Sequence, residues 1–190
     1  MLPSPPLPPQ LGIWPSSPPY PSYATACRAL ALHLSSLLHL TPTSSLVDVG
    51  CGYGDSLLLW REVHGVEARG VNWEEREAEV CRRRGLRCVA GSATEGEHYE
   101  RGCVVVAVDC CYHWGKREWY SVMRRRGVKR VAASDFIVKE GMGWAARAGM
   151  ECAGIGAGIQ KGNFMTKREY LRMLEEMGYR NVEITEVPST

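Results

Sequence analysis

The sequence predicts an α/β fold built on a doubly wound, mostly parallel sheet, and three observations predict it. Short apolar runs alternate with stretches of helical periodicity from residue 23 onward, the pattern of parallel strands joined by right-handed helical crossovers. Residues 103–108 read Cys-Val-Val-Val-Ala-Val, which suits a strand buried on both faces of a sheet. Residues 46–55 read Leu-Val-Asp-Val-Gly-Cys-Gly-Tyr-Gly-Asp, an apolar strand running through an acidic residue into three alternating glycines and a helix start.

The chain has 190 residues, enough for one domain and short for two. Residues 1–22 hold nine of the eleven prolines. Such a stretch has too few backbone donors to pack, so a disordered or polyproline-like tail is expected there, with docking of a proline-reading domain as the less favoured alternative. The folded domain is expected over 23–190. Its elements follow in order. A helix is predicted over 23–40 and stopped by Thr41-Pro42. A strand over 45–49 leads into the glycine loop, then a helix over 55–63 and a second strand over 68–71. The next helix, 74–84, has Glu74 and Glu75 at its start, Arg82, Arg83 and Arg84 at its end, and Gly85 just beyond. That charge order complements the helix dipole and supplies a stop. A third strand is expected over 86–90, a fourth over 103–108, a helix over Lys116–Arg126 and a fifth strand over Arg130–Ala133. The Gly/Ala/Met-rich stretch 141–164 resists assignment. Thr166-Lys167-Arg168-Glu169 has the form of a capping box and opens a helix stopped by Gly178. A last strand is predicted over 182–187.

A net charge of +2 gives little general pull toward nucleic acid or membrane. No apolar run approaches the ~18 residues of a membrane span, and no Arg precedes Arg28, so neither membrane nor secretory segment is expected and a cytoplasmic location is the default. The eight cysteines show no C-x-x-C pair and no zinc-finger spacing. They read as small buried hydrophobes in a reducing compartment. Arg82–Arg84 and Arg124–Arg126 are read as solvated helix ends before nucleic-acid contacts.

The glycine loop carries the chemistry. Its G-x-G-x-G spacing brings the third glycine one residue earlier than the dinucleotide fingerprint G-x-G-x-x-G. An acid at Asp48, two residues before Gly50, would repel a pyrophosphate but suits a cationic or zwitterionic ligand. The ten residues 46–55 resemble motif I of the class I S-adenosylmethionine (SAM)-dependent methyltransferases. That resemblance, which spans about residues 20–187, implies a Rossmann-like fold, SAM as cofactor and a small-molecule substrate methylated on N, O or C. It also implies roles. Gly50, Cys51, Gly52 and Gly54 would lie against the amino-acid part of the cofactor. Asp48 would organise the loop or face the cofactor's charged end. Asn72, in Gly70-Val71-Asn72-Trp73, stands where many relatives place an acid that grips the ribose hydroxyls, and Trp73 follows it. Asn72 as a plain helix cap is the alternative. Ser92 and Ala93 stand where relatives read the adenine. Asp109-Cys110-Cys111-Tyr112-His113-Trp114 resembles the segment after strand four in small-molecule methyltransferases. By position, Asp109 would lie beside the sulfonium, Tyr112 would shape the pocket or donate a hydrogen bond, and His113 would be the base, its unperturbed pKa lying near neutrality. The stretch 141–164 stands where this group carries a substrate-covering lid.

Three features of other methyltransferases are not seen in the sequence. The N-P-P-Y motif and the Pro-Cys pair of nucleic-acid methylating enzymes are absent after strand four. A seventh strand, antiparallel to the sixth, is expected to be missing, leaving a C-terminally incomplete domain. The rival readings are a SAM-binding pseudoenzyme or partner subunit, an RNA or protein methyltransferase, and an NAD-binding oxidoreductase, the last disfavoured by the loop spacing. No metal is expected, and the sequence assigns no oligomeric state.

Overall fold

A computed structural model describes residues 12–13 and 19–186. Most of the proline-rich tail expected over 1–22 lies outside the described residues, as does residue 187. The elements run α1 (Tyr23–Leu38), β1 (Leu46–Val49), α2 (Asp55–His64), β2 (Arg69–Asn72), α3 (Glu75–Arg83), β3 (Arg87–Ala90), β4 (Val104–Ala107), α4 (Lys116–Arg126), β5 (Arg130–Ala133), α5 (Trp144–Gly156) and α6 (Lys167–Glu176). Short 3-10 turns occupy Gly96–His98, Cys111–His113 and Lys161–Asn163.

The five strands form one parallel sheet in the order β3-β2-β1-β4-β5. β1 and β4 are its centre, and each is buried along its whole length. Their alternating side chains divide the core. Leu46, Val104 and Val106 join Leu34 and Leu38 of α1, Trp60 of α2 and Cys81 of α3 on one face. Val47, Val49, Val105 and Ala107 join Trp119 and Met123 of α4 and Tyr170 and Met173 of α6 on the other. The reversal of strand order at β1/β4 is the switch point at which ligands bind in such sheets, beyond the strands' carboxyl ends.

Local chemistry sets the boundaries. Ser22 caps α1 by accepting from the Thr25 amide at 3.2 Å. Gly127, at φ +72°, closes α4 in the left-handed region. The capping box of α6 is complete: Glu169 N–H donates to Thr166 Oγ1 at 3.3 Å and Thr166 N–H to Glu169 Oε2 at 2.7 Å.

The stretch 141–164, which the sequence left unassigned, contains α5 and the Lys161–Asn163 turn. Its alanines outweigh the helix-weakening glycines. The structure corrects one expectation: residues 182–186 do not form a strand. Val182 and Ile184 instead pack as partly buried side chains on the α4/α6 core, so apolar alternation there reflects packing without a pairing partner. No helix among the described residues is long and apolar enough to cross a membrane.

Candidate active site

The glycine loop leaves β1 at the carboxyl edge of the sheet, and its three glycines all adopt positive φ, +72°, +53° and +86°. Each does a different job. A Cβ on Gly50 would lie 2.6 Å from Cys110 Sγ, so this glycine lets the loop meet the segment after β4. A Cβ on Gly54 would lie 2.6 Å from Leu86 Cδ1, so this one seats the start of α2 on the sheet. A Cβ on Gly52 would meet nothing within 4 Å. The middle glycine therefore presents bare backbone to open space at the switch point, a cradle that a side chain would fill.

Asp48 does not reach that space. It shares a face with Leu46's neighbours on the α1–α3 side, is 1% exposed, and accepts from Trp60 Nε1 at 2.6 Å through Oδ2. Burial pushes its carboxyl up to about 6, against the opposing pull of hydrogen bonds from Ser56 and Trp60. It ties β1 to α2 just before the loop. Trp60 carried no signal in the sequence.

Asn72 is buried at the end of β2 and holds the loop from the other side. Its Nδ2 donates to Gly52 O at 2.7 Å and its Oδ1 accepts from Gly52 N–H at 3.3 Å. The amide matches a peptide group donor for acceptor. The helix-cap alternative is not seen, since Glu74 is the N-cap residue of α3. Trp73, beside it, is 76% exposed and Tyr53 is exposed within the loop. Ser92 lies one residue beyond Gly91, whose N–H donates to Asn72 O at 2.8 Å. Its hydroxyl is 2.9 Å from Thr94 Oγ1, and Ala93 is buried with its carbonyl accepting from Tyr99 OH at 2.5 Å.

The segment after β4 is drawn against the loop. Cys110 Sγ donates to Val49 O at 3.0 Å, and burial pushes its thiol well up, as expected of a packing residue. Asp109 takes a left-handed conformation, φ +56°, which asparagine and aspartate tolerate better than other non-glycine residues. Its N–H donates to Ser134 Oγ at 2.7 Å, and its Oδ1 accepts from Tyr112 OH at 2.8 Å. Burial, reinforced by that hydrogen bond and the carboxylate's charge, pushes the Tyr112 phenol up. Tyr112 is thus a donor and not a base. Its ring lies 4.5 Å from that of His113. Across the site, α1 brings Tyr23, whose phenol is pushed up by burial, by Cys27 and by the charge of Asp109.

His113 is exposed, with Nδ1 3.2 Å from Gly158 O. A carbonyl only accepts, so Nδ1 is the nitrogen that carries a proton, and Nε2 is the one left to face a ligand. Asn163, which the sequence did not single out, fixes this turn. It is fully buried, and its Nδ2 donates to Tyr112 O at 2.9 Å and Trp114 O at 2.7 Å. Lys116 joins it, with Nζ donating to Asn163 O at 2.9 Å and pairing with Asp135 Oδ2 at 2.8 Å. That buried ion pair anchors the segments after β4 and β5 to each other.

Comparisons with known proteins agree with this geometry. A family profile described as "Methionine biosynthesis protein MetW" matches residues 32–109, from α1 to just past β4. No curated protein matches the sequence. Among solved structures, geranyl diphosphate C-methyltransferase from Streptomyces coelicolor A3(2), crystallised with Mg2+, geranyl diphosphate and S-adenosyl-L-homocysteine, aligns with TM-score 0.63 at 19% identity, over 87% of this chain and 71% of that one. The [4+2]-cyclase SpnF aligns with TM-score 0.70 at 16% identity, over 89% of this chain and 62% of SpnF. A complex of the Haloferax volcanii Trm112 methyltransferase activator with a methyltransferase aligns with TM-score 0.61 at 14% identity, over 78% of this chain and 67% of that one. The resemblance to class I SAM-dependent methyltransferases holds at the level of fold.

Proposed function

We propose that this chain binds SAM and transfers its methyl group to an N, O or C atom of a small metabolite. The single observation that carries the reading is the bare backbone of Gly52, held open at the switch point by Asn72 on one side and by the Gly50–Cys110 contact on the other. The neighbour crystallised with S-adenosyl-L-homocysteine and the MetW profile over this region support it. SAM, when bound, supplies a methyl group already activated on a sulfonium.

The residues then divide the work. Gly50, Cys51, Gly52 and Gly54 would hold the amino-acid end of the cofactor, with Asp48 keeping the loop in place from beneath. Asn72, Trp73, Ser92 and Ala93 would take the ribose and adenine, Trp73 through its exposed ring. The side-chain amide of Asn72 is already engaged with Gly52, so its part is to shape the loop more than to grip hydroxyls. Asp109 would stand beside the reacting centre, oriented by Ser134 and Tyr112. His113, its Nδ1 turned to Gly158 O, would use Nε2 to accept the proton that a hydroxyl or amine nucleophile sheds. Holding nucleophile and methyl together supplies much of the barrier reduction in such a displacement.

A second reading has an observation behind it. A [4+2]-cyclase shares the fold, and fold alone does not fix chemistry. SAM binding without methyl transfer is that reading. Calorimetric titration with SAM and S-adenosylhomocysteine, with NAD as control, tests the first step. Binding of the SAM pair alone, followed by label transfer from methyl-labelled SAM in a metabolite screen, is the expected result. A folded protein that binds neither member of the pair overturns the proposal. Binding with no transfer to any metabolite, RNA or protein fraction leaves the second reading.

A further inference from the structure

Beneath the glycine loop, three cysteines from three elements converge. Cys51 belongs to the loop, Cys81 to α3 and Cys88 to β3, and all three are buried. Cys51 Sγ lies 3.7 Å from Cys88 Sγ, and the three sulfur atoms all lie within 4.8 Å of one another. Two glycines make the room. A Cβ on Gly70 would lie 2.6 Å from Cys51 Sγ and 3.1 Å from Cys88 Sγ, and one on Gly54 would lie 3.0 Å from Cys81 Sγ. The sulfurs thus occupy the places of two missing side chains, walled by Leu57 and Leu86. Cys110 and Cys111, by contrast, stand outside this cluster and donate to the carbonyls of Val49 and Ser134.

We propose that Cys51, Cys81 and Cys88 form a three-sulfur site for one thiophilic cation, Cu+ or Zn2+. The spacing suits it. Three sulfurs each about 2.3 Å from one ion are about 3.8 to 4.0 Å apart, so only sub-ångström side-chain shifts separate the observed arrangement from a bound one. A disulfide would need two of these sulfurs to close to about 2.05 Å. Thiolates select soft cations of this group. Gly52 O, 3.3 Å from Cys81 Sγ, is the nearest oxygen for a fourth position. Two guanidinium groups border the site, each already paired with a carboxylate: Arg82, paired with Glu75, donates to Cys88 O at 3.4 Å, and Arg84, paired with Asp55 at 2.8 Å, donates to Tyr53 O. Binding a divalent ion replaces three thiol protons, which leave to solvent. Because Cys51 lies between Gly50 and Gly52, occupancy stiffens the loop. That last consequence rests on the proposed cofactor role, while the metal site itself does not.

The test is titration of the reduced, metal-free chain with Cd2+, read by sulfur-to-cadmium charge-transfer absorbance, then competition with Zn2+ and with Cu+. The expected result is one ion per chain with the intensity of three thiolates, release of protons on binding, and a raised melting temperature. Cys81→Ser and Cys88→Ser should each remove roughly a third of the intensity and weaken binding at least about tenfold, whereas Cys152→Ser, an exposed thiol, should change nothing. Displacement of bound Zn2+ by equimolar Cu+ identifies the copper arm, and retention of Zn2+ against equimolar Cu+ identifies zinc. Folded wild-type protein that shows no band, or a band that Cys152→Ser removes, overturns the proposal without need of the serine variants. The titration is independent of SAM, so failure of the cofactor reading would leave it intact.

Discussion

The glycine loop and α5 face the same edge of the sheet, and they are held in opposite ways. The main constraints on the loop are inward and specific: Asp48 on Trp60, Asn72 on the N–H and C=O of Gly52, Gly50 against Cys110, Gly54 against Leu86. The helix α5 has no buried residue, and its Trp144 is 86% exposed. It is attached through Arg147, which donates to Phe164 O at 2.8 Å and pairs with Glu169, through Gly154 against the Phe164 ring, and, just past its end, through Gly158 O on His113. A preorganised cradle and an adaptable cover are what a transferase needs when one ligand is constant and the other varies. The difference teaches that the same kind of substitution should register as lost folding in one region and as altered substrate use in the other.

Gly50→Ala is the harshest test of the rigid side. The new methyl would meet Cys110 Sγ at 2.6 Å in a backbone conformation, φ +72°, that alanine resists. Loss of roughly 3 kcal/mol in chemical denaturation is expected. A loss below about 1 kcal/mol would mean that the loop yields, and that its rigidity is overstated. Asp48 offers a comparable effect through pH. Its folded-state pKa, about 6, stands above the ordinary 3.8, so the folded chain holds that proton more tightly than the unfolded one. The stability contributed is full below about pH 4 and is lost as pH rises through 6, by roughly 3 kcal/mol. Urea melts at pH 4.5 and 7 should show that slope in the wild type and its removal in Asp48→Asn. Identical slopes in the two proteins would count against a buried, charged Asp48.

Gly52→Ala separates folding from ligand binding within the loop itself. Nothing stands within 4 Å of the new methyl, so only the left-handed backbone, at a cost of about 1 kcal/mol, should register in stability. SAM binding by calorimetry should nevertheless vanish. Retained affinity would show that the open side of Gly52 is not where the cofactor lies. His113→Ala should cost folding less still, about one exposed hydrogen bond. It should lower kcat by about 10²-fold or more while leaving SAM affinity unchanged. Unchanged turnover would remove His113 as the base.

The contrast between the two regions also explains what was legible in the sequence. The loop could be read because its chemistry is local: φ-positive glycines and an apolar strand lie within ten consecutive residues. The central strands, α4, β5 and the capping box of α6 followed from periodicity and end signals for the same reason. What joins distant segments left no trace. Trp60 on Asp48, Ser134 on Asp109, Asn163 under the His113 turn and the Lys116–Asp135 pair are contacts between residues that only the tertiary fold brings together. Asn72 was placed correctly on its strand end, yet its partner proved to be the loop peptide. The helix in 141–164 was masked by its glycines, and the strand over 182–187 was suggested by an alternation that packing alone accounts for across 182–186.

The smallest expected effect on folding is that of Trp144→Ala, and it sharpens the comparison most. An indole so exposed makes little contribution to the core, so denaturation should shift by less than about 0.5 kcal/mol. If α5 covers a substrate, the same residue gains contacts only when that substrate is present. Its removal should then raise KM for the accepting metabolite by about tenfold and leave kcat nearly untouched, the signature of binding that ground and transition states share equally. Loss of several kcal/mol would instead make α5 part of the packed domain, and the two regions would no longer differ in kind. A fall in kcat at constant KM would move Trp144 from covering the substrate to aligning it, and would bring the cover into the same preorganised unit as the cradle.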